Sequence, residues 1–181
     1  MNKSIFILVL SIFCLALSSC SRNYVPFTEK LYTENSWSES DLQRIQFYLS
    51  DDIVIYRQLK ESSSEIISGK IKMEQGRQIE EITIQRGTPG VLLYTKGKNS
   101  FAISFEEGQD SCYLTFGPNP NYGNQYRVLA NDWTKKVGTV HYAGKQYQTR
   151  PFSIDAYLMV DMKKINKLDI DRRKAKGRKI N

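Results

Sequence analysis

The strongest constraint on the fold of this chain is a period of two. From Asp52 onward, apolar side chains recur at every second position over short runs. Phe101, Ile103 and Phe105 alternate with Ala102, Ser104 and Glu106, and Ile67, Gly69, Ile71 and Met73 alternate with Ser68, Lys70, Lys72 and Glu74. Successive strand residues point to opposite faces, so these runs make strands with one face on a core and the other in water. Between them stand residues that tight turns demand: Gln75-Gly76, Lys96-Gly97-Lys98-Asn99, Glu107-Gly108, the segment 119–124 and Ala143-Gly144-Lys145. Such spacing predicts a mainly β fold, an antiparallel β-sandwich or barrel of about nine or ten short strands. The last strand is expected over 154–160, with Ile154, Ala156, Leu158 and Val160 on one face.

One N-terminal helix is expected ahead of the strands. Ser38 is placed to cap it, Glu39 and Asp41 suit its positive end, and Trp37 can staple its start. Leu42, Ile45 and Leu49 then form one apolar stripe that carries the helix to Ser50-Asp51. Residues 20–35 read as a polar tether with a reach of about 50 Å, at about 3.3 Å per residue. Its aromatics Tyr24, Phe27 and Tyr32 argue that part of it packs on the domain. The β-rich domain spans 36–160. Beyond it, 161–181 loses the alternation; Met162, Ile165 and Leu168 fit a short amphipathic turn or two, and the run from Arg172 to Lys179 has too little apolar content to fold alone. A disordered basic C-terminal tail is the expectation.

Charge follows the same division. Residues 161–181 hold nine Lys/Arg against three Asp, a net +6, whereas 20–160 balances 16 basic against 16 acidic residues. The chain is a neutral domain with a basic extension.

The N-terminal residues divide as a secretory signal does. Lys3 supplies the positive charge, and the thirteen residues of 5–17 form an apolar stretch. A helix crossing a membrane needs about 20 apolar residues, so this stretch is too short to span. It ends in Leu17-Ser18-Ser19-Cys20, which resembles the lipobox of bacterial lipoproteins: an aliphatic residue, two small residues and a cysteine. The resemblance implies a signal peptide over 1–19 and Cys20 as the mature N-terminus, carrying diacylglycerol on its sulfur and an acyl chain such as palmitate on its amine. Several acyl chains anchor stably where one does not. In bacteria with two membranes, Ser21 in place of Asp directs such a protein to the outer membrane. The absence of acidic residues in Ser21-Arg22-Asn23-Tyr24 points to its periplasmic face. Cleavage leaves 162 of 181 residues, a single domain of ordinary size.

Catalytic and metal chemistry are poorly provided for. Cys14 leaves with the signal and Cys20 is lipidated, so Cys112 has no partner for an internal disulfide. Its alternation with Leu114 and Phe116 predicts a buried small hydrophobe. His141 is the one histidine, and structural zinc wants four nitrogen or sulfur ligands, so no metal and no non-covalent cofactor is expected. The pairs Asp51-Asp52, Glu80-Glu81 and Glu106-Glu107 point to opposite faces if they lie in strands, and read as solvated strand ends. The chain does not read as an enzyme.

Two features remain as contact candidates. The loop 116–126 is rich in Pro, Asn, Gly and Tyr; Tyr122 and Tyr126, with Trp133, offer flat faces with polar tips to a glycan, a peptide or a partner protein. The same composition also serves a plain turn. The basic stretch, with Arg172, Arg173 and Lys174, suits an anionic envelope surface or an acidic protein patch, and nucleic acid is not an expected partner of a secreted lipoprotein. In layout the chain is similar to the small β-sandwich lipoproteins that anchor bacterial secretion machines, including the transthyretin-like lipoprotein of type VI secretion. That similarity implies a structural or adaptor component of a membrane-associated, secretion-type complex. The alternative is a lipoprotein that captures glycan or peptide.

Overall fold

The computed structural model describes residues 23–59, 69–97 and 99–173. Thirteen strands within them form two sheets with every neighbouring pair antiparallel. The first sheet has the spatial order β1 (Tyr24–Pro26), β13 (Leu158–Asp161), β2 (Phe47–Leu49), β6 (Pro89–Lys96), β7 (Ser100–Ser104), β8 (Tyr113–Asn119) and β9 (Gln125–Val128). The second runs β10 (Asn131–Thr134), β11 (Val137–Tyr142), β12 (Lys145–Thr149), β3 (Ile53–Gln58), β5 (Arg77–Ile84) and β4 (Lys70–Glu74). The antiparallel, mainly β architecture read from the alternation is the one observed. The strand number is higher because β1, β2 and β10 have only three or four residues, too few to display a period.

The turns show why particular residues stand in them. Gln75 and Gly76 have φ of 50° and 75°, and Ala143 and Gly144 have φ of 49° and 72°. Both central positions are left-handed, as two-residue hairpins joining right-twisted strands require. Lys135 and Lys136 adopt the same region, φ 49° and 69°, between β10 and β11.

The first sheet closes on itself. β9, at one end of the strand order, bonds to the chain just beyond β1, at the other. The Tyr126 N–H donates to the Phe27 carbonyl at 3.0 Å and the Glu29 N–H to the Asn124 carbonyl at 3.0 Å, with bridges Thr28↔Gln125 and Arg127↔Tyr157. Inside the closure Phe27 meets Tyr126 at 4.9 Å and Phe47 at 5.2 Å between ring centroids, and Phe101 meets Tyr126 at 4.7 Å. These four rings are fully buried. The inner face of the second sheet, with Ile53, Ile55, Ile82, Ile84, Val140 and Tyr147, joins the same core.

The ends of the domain depart in part from the expectations. Part of the segment 20–35 packs on the domain, as its aromatics argue, and from Tyr24 onward it is no free tether: it supplies β1, the buried Phe27 and helix α1 (Glu29–Asn35), capped by the Thr28 hydroxyl. The helix after Ser38 is one turn, α2 (Glu39–Leu42); Ser38 and Asp41 form a reciprocal capping box, but the chain is a strand again by Phe47. Tertiary pairing overrides the helical stripe there, because β2 is claimed by β13 on one side and β6 on the other. The basic extension begins as helix α3 (Met162–Arg173), with Ile165 buried in the core, longer than the turn or two that Met162, Ile165 and Leu168 predict; Lys174 and the residues after it, most of the run expected to be disordered, lie outside the described ones. The final strand is also shorter than 154–160. A 3-10 helix, Pro151–Asp155, precedes it, and Ala156, Leu158 and Val160 are buried together as the alternation predicts. Ile67 lies outside the described residues, and Ile71 and Met73, its alternation partners on the edge strand β4, are exposed.

Phe27 is the test of the closure. Phe27→Ala should destabilise the domain by about 3–5 kcal/mol, the cost of emptying a packed aromatic site, read as a lower urea midpoint with an unchanged slope. A loose N-terminal segment would instead give a change within about 0.5 kcal/mol.

Candidate functional site

The loop between β8 and β9 is built by its turn residues. Asn119 accepts from the Asn121 N–H at 3.0 Å and so caps a 3-10 turn, Pro120–Tyr122, while Gly123 and Asn124 at φ 64° and 55° return the chain to β9. Asn119 and Asn124 therefore serve the backbone. Tyr122 is left on the surface, 41% exposed.

Beneath Tyr122 lies Arg127, which sequence reasoning did not single out. Alternation along β9 sends Tyr126 and Val128 to the core and Gln125 and Arg127 to the opposite face. The Arg127 guanidinium sits 3.7 Å from the centre of the Tyr122 ring, with Tyr157 at 5.5 Å. One terminal nitrogen donates to the Ile154 carbonyl at 2.9 Å and the other to the Gln125 side chain at 2.9 Å. Arg127 is 8% exposed; its Nε has no hydrogen-bond partner and no carboxylate pairs with it among the described residues. A desolvated cation on an aromatic face is worth about 2 kcal/mol, which holds Tyr122 in place.

Trp133 on β10 and Leu129 complete the surface, 40% and 42% exposed. Their positions depend on glycines: a Cβ at Gly138 would lie 2.9 Å from the Trp133 ring and one at Gly117 would lie 2.7 Å from Leu129. Together these groups line an open cleft of about 400 Å³ with Pro118 and Asn119. Its walls are aromatic and aliphatic and its floor is cationic. Such a cleft can hold an extended segment that presents carbonyl or carboxylate oxygens.

The structure thus brings Tyr122 and Trp133 together and removes Tyr126 from the group. Tyr126 is fully buried among Phe27 and Phe101, its hydroxyl without a hydrogen-bond partner, and burial with Tyr32 and Glu29 nearby pushes its phenol above the ordinary tyrosine value. It cannot be a binding platform because it faces the other side of β9. Arg172 and Arg173 belong to α3, and Lys174 lies outside the described residues.

The remaining polar residues serve the fold or open surface. Cys112 is fully buried, its Sγ donating to the Gln109 side chain at 3.0 Å; burial and the neighbouring Glu106 push its thiol up, away from the reactive thiolate. His141 is exposed on β11 and lines a cleft of about 820 Å³ with Lys96, Tyr113, Thr115, Asn131 and Thr139. Glu80 and Glu81 diverge to opposite faces, but Glu80 is not a solvated strand end. It is fully buried in mid-strand, with Arg57 at 2.6 Å and Tyr147 at 3.1 Å, while Glu81 pairs with Lys72 and Arg150 outside. Among the described residues no cluster of His, Cys, Asp or Glu is placed to hold a metal ion.

The register of β13 locates the site relative to the chain's N-terminal side. Asp161 at one end of the strand faces Tyr24, and Tyr157 before its other end bridges Arg127. Four residues of strand separate the two by roughly 13 Å. No protein-family model, curated protein or solved structure matches the chain at a significant level.

Gly138→Ala probes the seat of Trp133 without touching it. The new methyl would also meet the Ala130 Cβ at 2.6 Å, so Trp133 must move, at a stability cost of about 1–3 kcal/mol. The other tryptophan, Trp37, is buried, so iodide quenching of the fluorescence reports Trp133 and should rise. Unchanged quenching would mean that Gly138 does not set its position.

Proposed function

We propose that the protein is a lipid-anchored component of the bacterial envelope that docks a partner protein at the surface of Tyr122, Arg127, Leu129 and Trp133. Its work on this reading is structural, as an adaptor of a membrane-associated, secretion-type assembly on the periplasmic face of the outer membrane. The lipobox at Leu17-Ser18-Ser19-Cys20 supports the anchor.

The observation that carries the docking role is the composition of the cleft. Tyr, Trp and Arg are the residues that dominate binding energy at protein interfaces, above all where they cluster around a desolvated centre. Here Tyr122 and Trp133 are half-exposed while Arg127 beneath them is buried without a carboxylate partner among the described residues. A partner segment carrying an acidic or carbonyl group over this floor would bury the exposed rings and pair the cation. The hydroxyl- and amide-lined cleft beside β8 and β11 supports a second reading, capture of a glycan or peptide.

The test is a pull-down of the natively lipidated protein from its own envelope in mild detergent, with mass spectrometry of what elutes. The expected result is a stoichiometric partner whose affinity falls by at least about thirtyfold in Trp133→Ala, the loss of a hot-spot residue, with thermal unfolding little changed. Recovery of the protein alone would contradict docking and favour the glycan or peptide reading. A partner held equally by the variant would place docking elsewhere.

A further inference from the structure

The first strand begins beside the start of α3. Tyr24 faces Asp161 across β1 and β13, and the Met162 N–H donates to the Asn23 carbonyl at 3.3 Å. Helix α3 therefore starts where the chain arriving from Cys20 enters the fold. Cys20 precedes Asn23 by three residues, which limits their separation to about 11 Å. If Cys20 carries acyl chains, its backbone lies at the bilayer surface, and the first turn of α3 is held close to the headgroups.

That turn is basic. Lys163, Lys164 and Lys167 are exposed and fall within the first two turns, about 8 Å of helix at 1.5 Å per residue. The helix is fixed rather than free to swing: Ile165 is buried in the core, and the Lys164 ammonium contacts the Tyr48 hydroxyl at 3.2 Å. Asp161, the acid next to these lysines, is buried and accepts the Lys163 N–H. Along the sequence the charge continues through Arg172, Arg173, Lys174, Lys176, Arg178 and Lys179 against Asp169 and Asp171.

We infer that the first two turns of α3 lie on an anionic phospholipid surface beside the acylated Cys20, so that membrane attachment has two parts. The lipid supplies hydrophobic retention, and the lysines supply electrostatic contact that a Debye length of about 8 Å confines to the immediate surface. One part alone would leave the domain free to rotate about its anchor. Both together set its orientation, with the Tyr157 end of β13 and the Tyr122–Trp133 surface turned away from the bilayer. The inference rests on the reading of Cys20 as a lipidated residue.

The test is amine acetylation of the full lipidated protein on two kinds of vesicle, phosphatidylcholine alone and equal parts phosphatidylcholine and phosphatidylglycerol, with each lysine followed by mass spectrometry. Lys163 and Lys167 should react at least about fivefold more slowly on the anionic vesicles, the factor expected for a lysine held near a charged surface. Raised salt should abolish the difference, and Lys30 and Lys135 should react alike on both. Equal rates at Lys163 and Lys167, on a protein that floats with both vesicles, would overturn the inference and leave the anchor standing. An intact mass without diacylglycerol, with no flotation on neutral vesicles, would overturn the anchor and this inference together.

Discussion

Phe27 is hydrogen-bonded on both sides of its backbone. Its N–H donates to the Leu158 carbonyl at 2.8 Å and its carbonyl accepts from Tyr126 at 3.0 Å, so one residue joins β13 and β9, strands that the order of the sheet places far apart. A sheet edge carries a row of unpaired donors and acceptors, and closure satisfies them without recruiting another chain. The ring of Phe27 does the complementary work inside, where it packs against Phe47, Phe101 and Tyr126. Backbone pairing sets the curvature of the sheet, and the aromatic cluster fills the space which that curvature encloses.

The rest of the geometry depends on this seam. Because β1 is part of the sheet, the segment from Cys20 to the fold is short, and the anchor proposed here leads into a rigid strand. Because β13 lies beside β1, the basic helix that follows starts at the same place. Because β9 is drawn against Phe27, Arg127 is carried to Tyr157, and its guanidinium becomes the buried floor under Tyr122. The candidate site and the basic helix thus lie toward opposite ends of one strand. An adaptor that stands on a membrane and engages a partner above it needs that separation.

Much of this was legible in the sequence, for physical reasons that can be named. Strands with one buried face announce themselves by alternation: Phe101 and Ile103, Leu114 and Phe116, and Ala156, Leu158 and Val160 all face the core. Gln75-Gly76 and Ala143-Gly144 were readable as turns because left-handed backbone favours glycine. Lys135-Lys136 adopts the same turn with no such residue, and is invisible to that reading. The capping box at Ser38 was readable too, but a cap starts a helix without fixing its length, and pairing of Phe47–Leu49 with two strands ended this one after a turn. In the candidate site Tyr122 and Trp133 were visible as surface aromatics. Tyr126 looked equivalent until its register on β9 was known, and Arg127 carried no local signal, since its burial under Tyr122 arises from contacts between distant parts of the chain. The proposed anchor rests on a local, short resemblance in the sequence, Leu17-Ser18-Ser19-Cys20.

The most direct measurement is amide hydrogen exchange of the full chain, followed at Phe27, Tyr126 and Met162. If the N-terminal segment closes the sheet, the Phe27 and Tyr126 amides exchange as slowly as those of the central strand β7, and Met162 is protected with them. Exchange of Phe27 and Met162 at the rate of a frayed terminus, with β7 protected, would show an open sheet with a loose N-terminal arm and contradict the orientation built on it.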